Sequence, residues 1–258
     1  MLRAISGVTV VLFASLVLAQ NRVTFNVTWK DGKQMPCRIH VSDKDGKPVR
    51  AKDLPAWRDH FVCEGIATLN VPNGNYKYVV ERGKEFAPEN GSFKTEGSDA
   101  KIDVTLNRVI DMAARGWYSG ELHVHRAVEE IPLHLRAEDL HVSPVITWWN
   151  GRDLWKSRPL PKTTRHTVDG NRFYDVMSGE DEREGGARMY YGLKMPLPLP
   201  GGKGLFPESP SPMKFVELAR QYDDVWIDLE KPFGGTRPSG WPVDSSSRSA
   251  LRTTTHGP

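Results

Sequence analysis

The chain has 258 residues, 38 % hydrophobic and 26 % charged, with a formal net charge of +3 and two cysteines. That balance excludes a disordered polar chain and a disulfide-dense miniprotein, and it leaves room for two modest globular domains. Acidic and basic residues are interspersed, and no basic run is interleaved with aromatics, so nucleic acid is not an expected partner.

Residues 1–19 read as a secretory signal. Arg3 gives a positive n-region, Val8 to Leu18 a short apolar h-region, and Val17 and Ala19 fit the −3 and −1 positions of a cleavage site. The apolar run is far shorter than the ~20 residues of a membrane span, so no stable membrane anchor is expected after cleavage. No cysteine follows the run to carry a lipid. The mature chain is expected to start near Gln20 or Asn21, in a periplasmic or extracellular compartment.

Residues 20–107 predict an all-β domain, a small sandwich. Val23 to Trp29 alternates apolar and polar and runs into the Lys30-Asp31-Gly32-Lys33 turn. Arg38 to Val41 leads to Asp45-Gly46, Ile66 to Val71 to Pro72-Asn73-Gly74, and Tyr76 to Glu81 comes next, with Ile102 to Leu106 closing the set. Short alternating strands with Asn/Asp-Gly turns are the signature of such a fold. Cys37 and Cys63 both fall in this region, and an oxidising compartment favours a disulfide between them; two buried thiols are the competing reading.

From Arg108 the pattern changes to α/β. Strand-like runs at Tyr118 to Val124, Val142 to Thr147, Phe173 to Met177 and Val225 to Leu229 alternate with longer segments. Ile131 to Leu140 and Met213 to Tyr222 have helical spacing, the second with Phe215, Val216 and Ala219 on one face and Pro210 and Pro212 before it. This alternation predicts a parallel sheet, part of a barrel, with function at the carboxyl ends of its strands.

His123-Val124-His125 lies at the end of the first of these runs. Alternate strand residues point the same way, so both imidazoles can reach one ion, and imidazole is the commonest protein ligand for catalytic metals. Two merely exposed histidines are the bland alternative. His134, His141 and His166 are expected to be surface or structural histidines, and Arg126 either holds an anionic group or makes a surface ion pair.

Five strings then line up: Gly116 to Arg126 (GWYSGELHVHR), Pro144 to Asn150 (PVITWWN), Ser178 to Arg183 (SGEDER), Tyr190 to Leu193 (YYGL) and Asp228 to Phe233 (DLEKPF). Together they resemble the PHP (polymerase and histidinol phosphatase) metallohydrolases, in the CehA/McbA-like branch, and most closely its secreted bacterial members with an N-terminal β-domain. The resemblance spans most of residues 60–233. It implies a distorted (β/α)7 barrel, incomplete in this chain, that binds divalent ions (zinc, manganese or iron) at its rim. By the same resemblance His123 and His125 are the H-x-H ligands, Glu180 is the bridging carboxylate after a strand, and Glu230 is a further ligand. One departure stands out. The family's second motif reads Thr-Asp-His-Asn, and here it is Thr147-Trp148-Trp149-Asn150. Indoles cannot replace those ligands, so the site holds fewer ions or the tryptophans wall a substrate pocket.

Residues 234–258 lose all periodicity and read as a disordered or frameshifted tail. Shifted by one base after Phe233, the codons of this tail permit WWDAAVWLASGQ, in which the alanine after the leucine is fixed by the single codon of Trp241. That string resembles the family's continuation, and it implies a truncated chain. The expected function is a secreted, divalent-metal-dependent hydrolase of a phosphoester, carbamate or amide-type bond in an unidentified small-molecule substrate. The residues identify no general acid or base. The alternatives are a non-catalytic extracytoplasmic β-domain protein, or broken gene product, and an amidohydrolase-type barrel, which also opens with H-x-H.

Overall fold

The computed structural model describes residues 20–183, 186–200 and 209–230. The signal-like segment, the tail, and Lys231, Pro232 and Phe233 of the last family string lie outside them. Strand outweighs helix, 46 % to 12 %, so the chain is mostly β. No helix among the described residues is long and apolar enough to cross a membrane. Two compact units emerge: residues 20–118 with 133–140, and residues 119–132 with 141–230.

The first unit holds β1 (Asn21–Thr28), β2 (Cys37–Ser42), β3 (Ala56–Trp57), β4 (His60–Cys63), β5 (Ile66–Val71), β6 (Gly74–Glu81), β7 (Phe86–Ala87), β8 (Glu89–Thr95), β9 (Ala100–Thr105) and β10 (Asn107–Arg108). One sheet has the order β5-β1-β9, another β3-β4-β2-β6-β8, and β7 pairs with β10. Their inward residues share one core, including Val23, Phe25 and Val27 of β1, Ile39 and Val41 of β2, and Leu69 and Val71 of β5. Strict alternation in β1, β2 and β5 puts every second side chain into that core. Phe25 is its centre, meeting Tyr78 and Phe93 edge-on at 5.4 and 6.0 Å. Gly46 turns the chain after β2 with a φ of 77°, a left-handed angle that glycine takes without strain. Cys37 and Cys63 are cross-strand partners on β2 and β4. Here the structure departs from the disulfide expectation: the sulfurs are 3.7 Å apart, and both are free thiols in the core. The hydrogen bond it donates to Cys63, followed by burial, pushes the Cys37 thiol well above the usual range.

Helix α1 (Ile131–Ala137) forms within the predicted span. The segment from residue 133 to 140 carries two carboxylates that neutralise the first unit's arginines. Glu138 takes Arg38 at 3.0 Å, while Asp139 takes Arg82 at 3.1 Å and Arg108 at 2.8 Å. Residues 108–118 and 133–140 thus cluster with the β-rich unit, although their sequence pattern groups them with the α/β region.

The second unit holds β11 (Val142–Trp149), β12 (Arg152–Asp153), β13 (Arg165–Asp169), β14 (Arg172–Arg183), β15 (Gly186–Tyr191), helix α2 (Pro212–Ala219) and β16 (Trp226–Glu230). The sheet order is β12-β11-β14-β15-β16, with β13 beside the first half of β14. Only β11 and β14 are parallel as expected; β15 and β16 are antiparallel to their neighbours. This corrects the all-parallel alternation. The cause is β14, which does not stop at Met177 but continues through Arg183 and returns directly as β15, a hairpin that needs no crossover helix. The described residues form open sheets and no barrel. Helix α2 matches its predicted pattern. Ser211 caps it by accepting from Met213 N–H, and Phe215, Val216 and Ala219 are buried.

Candidate metal centre

The H-x-H segment runs beside β11 without being a regular strand. Gly120 bridges to Val142 and Val124 to Val145, both in parallel sense. Four residues on one side thus span three on the other, a bulge-like mismatch that breaks the ladder. This corrects the predicted strand over Tyr118 to Val124. Local extension survives, and it suffices: the two imidazole rings lie side by side with centroids 5.0 Å apart.

Three of the expected ligands meet. His123 Nε2 and His125 Nε2 are 3.0 Å apart, and Glu180 Oε2 lies 3.2 Å from the first and 3.0 Å from the second. Glu180 is fully buried. It sits inside β14 rather than after a strand, opposite Trp149 on β11 and Met189 on β15. Glu230 occupies a different position. Its Oε2 faces His123 Nδ1 at 2.5 Å, on the far side of the ring from Glu180.

With Glu230 accepting the Nδ1–H of His123, Nε2 would turn a lone pair toward Glu180, whose ionised carboxylate also only accepts. One divalent cation would satisfy both Nε2 atoms and the Glu180 oxygen together. Ligand bonds of about 2.1 Å place cis donors roughly 3.0 Å apart in an octahedron and about 3.4 Å apart in a tetrahedron. The observed 3.0 to 3.2 Å fits that window. The donor set would suit zinc, manganese or iron, and Glu230 stands where a carboxylate could orient a ligating imidazole.

The surroundings favour a cation. Glu121 accepts from the His123 backbone N–H at 3.2 Å. Tyr191 donates to the Leu122 carbonyl at 3.1 Å. Burial pushes the Tyr191 hydroxyl well above the usual phenol range, and the carboxylates of Glu230, Asp228, Glu180 and Glu121 push it further. Four acids around one phenol describe a strongly negative pocket. Sequence reasoning missed Tyr191, Glu121 and Asp228 as members. All three lie in the strings that carry the resemblance, and the spacing of Asp228 and Glu230 puts both on one face of β16.

The two tryptophans separate. Trp148 is buried in the core, stacked on Tyr190 at 5.9 Å, and packs on Gly179. It walls no substrate pocket. Trp149 does reach the centre, its ring edge-on to His125 at 4.8 Å, with Arg152 over its face at 5.2 Å. Arg126 pairs with Glu130 at 4.0 Å. His141 is buried against the Ser119 hydroxyl at 3.1 Å, and His166 stacks on Tyr174. Neither histidine joins the centre.

No protein-family model matches the sequence, and no curated protein matches it.

Proposed function

We propose that the chain is a divalent-metal-dependent hydrolase of the PHP type, working outside the cytoplasm on a phosphoester, carbamate or amide-type bond of a small molecule. The observation that carries this reading is the convergence of His123, His125 and Glu180 on one point, with three acceptor atoms 3.0 to 3.2 Å apart. These three residues hold the ion and Glu230 orients His123. A bound divalent ion supplies an acidified water and polarises the phosphoryl or carbonyl oxygen. The chain's own residues do the rest. Tyr191 stays protonated and braces the backbone at Leu122, and Trp149 shields one side of His125. Arg152, held on the same indole, places a cation suited to an anionic substrate group. The family's distorted barrel belongs to the same proposal.

Metal analysis of the purified protein tests the reading. We expect zinc, manganese or iron to be bound at this centre, and His123→Ala to lower the bound metal by one equivalent. Metal content unchanged by that substitution would sink the proposal. A second, non-catalytic reading draws on Trp148 and Trp149, which stand where the family motif has ligands. Chromogenic phosphodiesters, esters and carbamates offered to the metal-loaded protein separate the two: turnover supports the hydrolase, and a loaded but inert protein supports simple metal binding.

A further inference from the structure

The first unit carries a second convergence of metal-ligating side chains. His40 on β2 and His60 on β4 are direct cross-strand partners. Both belong to the outward face, because Ile39 and Val41 turn into the core on either side of His40. Their rings lie 5.2 Å apart, the separation expected of opposed side chains in an antiparallel pair. Asp59 follows Arg58 in the tight connection between β3 and β4, and Arg58 has a φ of 49°. A left-handed angle is unfavourable for arginine, and this turn delivers the Asp59 carboxylate onto the two rings. Its Oδ2 lies 3.3 Å from His40 Nδ1 and its Oδ1 lies 3.1 Å from His60 Nδ1.

Glu81 completes the arrangement. Its Oε2 is 3.3 Å from His40 Nε2 and is itself held by Arg38 at 2.5 Å. His40 therefore has a carboxylate at each ring nitrogen, while a neutral imidazole has only one N–H. A divalent ion taken at Nδ1 would leave the N–H for Glu81 and hold the Asp59 carboxylate as well, whereas without metal an imidazolium would have to donate to both carboxylates, and zinc titration separates the two. His40 and Asp59 also line one side of a cavity of about 200 Å³ whose other walls include Pro48 and Tyr78. That leaves room beside the two residues for a water or a small anionic ligand.

We propose that His40, His60 and Asp59 form a second metal site, on the β-rich unit, for a late first-row divalent ion such as zinc, with Glu81 positioning His40 and a coordination position open toward the cavity. Two imidazoles and one carboxylate are a donor set that zinc, copper and nickel take in preference to magnesium or calcium. The site is independent of the hydrolase reading, since it shares no residue with His123, His125 or Glu180.

Zinc titration of the full-length protein, followed by calorimetry and by the visible spectrum of a cobalt-substituted sample, tests it. In a His123→Ala/His125→Ala background we expect one equivalent of zinc still to bind. Adding His60→Ala should abolish that binding, and Asp59→Asn, in an exposed turn that tolerates change, should weaken it at least tenfold. Glu81→Gln should keep the stoichiometry and lower the affinity by about tenfold, as loss of an orienting carboxylate does elsewhere. Circular dichroism of each variant separates lost binding from lost folding. No zinc binding in the His123→Ala/His125→Ala protein, or binding there that ignores both His60→Ala and Asp59→Asn, overturns the proposal. If the wild type binds a single equivalent that persists in His123→Ala/His125→Ala and disappears in His60→Ala, the β-unit site stands and the hydrolase centre fails.

Discussion

Gly179 is fixed by its neighbour rather than by its backbone angles. A Cβ placed on it would lie 2.1 Å from the Trp148 ring, and that ring has nowhere to go because it is buried and stacked on Tyr190. The next residue is Glu180, so the contact that excludes a side chain at position 179 also sets where the buried carboxylate points. Gly179→Ala is therefore expected to destabilise the protein by about 3 kcal/mol, the upper range for overpacking a filled core, and to weaken metal binding together with stability. Trp148→Leu should relieve the clash. The double variant is expected to be more stable than the sum of the single changes, which a double-mutant cycle from chemical denaturation measures. Strict additivity would show that the two side chains do not compete for the same space. Asp175, four residues earlier than Gly179, makes a second residue-scale case. Burial lifts its carboxyl above the ordinary value, against the Met177 N–H, Thr164, Arg165 and His166, which favour the charged form. A carboxyl raised on folding takes up a proton in the native state. Its favourable contribution is complete at acid pH and is lost as pH rises from the ordinary value through the folded one. Asp175→Asn keeps an oxygen for the Met177 N–H, which now bonds at 2.8 Å, and carries no charge. Its melting temperature relative to the native protein should be higher at pH 7 than in acid below the ordinary carboxylate value, where both side chains are neutral. An offset that does not change with pH would exclude a buried charge at this position.

At the scale of elements, what the sequence makes legible is what local alternation and capping decide alone. The strands β1, β2, β5, β6 and β9 and helix α2 lie within a few residues of their predicted spans, because each has its own period and its own turn or cap. The strands β4 and β8 go unread. β4 is a four-residue strand whose last three residues are all buried, and β8 is rich in polar residues and contains Gly91, packed against the Tyr78 ring. Neither has a pattern that stands out from a loop. The longest element, β14, is misread for a different reason. Ser178, Glu180, Asp181 and Arg183 are all buried in it, and a buried polar run reads from sequence as an exposed charged loop. Arg183 shows why burial is tolerated: it bonds both oxygens of Asp181, at 2.6 and 2.7 Å, and the Pro210 carbonyl at 2.7 Å. Such pairings depend on partners in space and leave no trace in spacing. The candidate site divides along the same line. The spacing of His123 and His125 marks two candidate ligands from sequence, Glu180 is found through its motif, and the proposed distinction between Glu180 as a ligand and Glu230 as an orienting group needs the geometry on both sides of one imidazole ring.

At the scale of the whole molecule, order along the chain and order in space differ. The change of pattern near residue 107 implies a division there, yet residues 133–140 return to the β-rich unit and bring Glu138 and Asp139 with them. Asp139 is buried and meets two arginines, of which the Arg82 side chain is itself only 8 % exposed. Breaking a buried ion pair by removing one partner costs about 3–5 kcal/mol, an upper value here because Arg82 keeps the Pro36 carbonyl and Arg108 keeps Glu85. Asp139→Ala should therefore lower the stability of the β-rich unit by up to that amount, whereas removing the exposed Asp99, which pairs with Arg22 at 2.8 Å on the surface, should cost far less because solvent screens the pair. The same reasoning sets where the chain can be cut. A fragment of residues 20–118 keeps both sheets but loses Asp139 for Arg82 and Arg108 and Glu138 for Arg38, leaving them only the Pro36 carbonyl, Glu85 and Glu81 respectively. A fragment of residues 20–140 restores all three. We expect the longer fragment to give a dispersed amide spectrum and a cooperative thermal transition, and the shorter one to melt earlier and less sharply. If both melt alike, the arginines of the β-rich unit find water or other partners, and residues 133–140 contribute little to its stability.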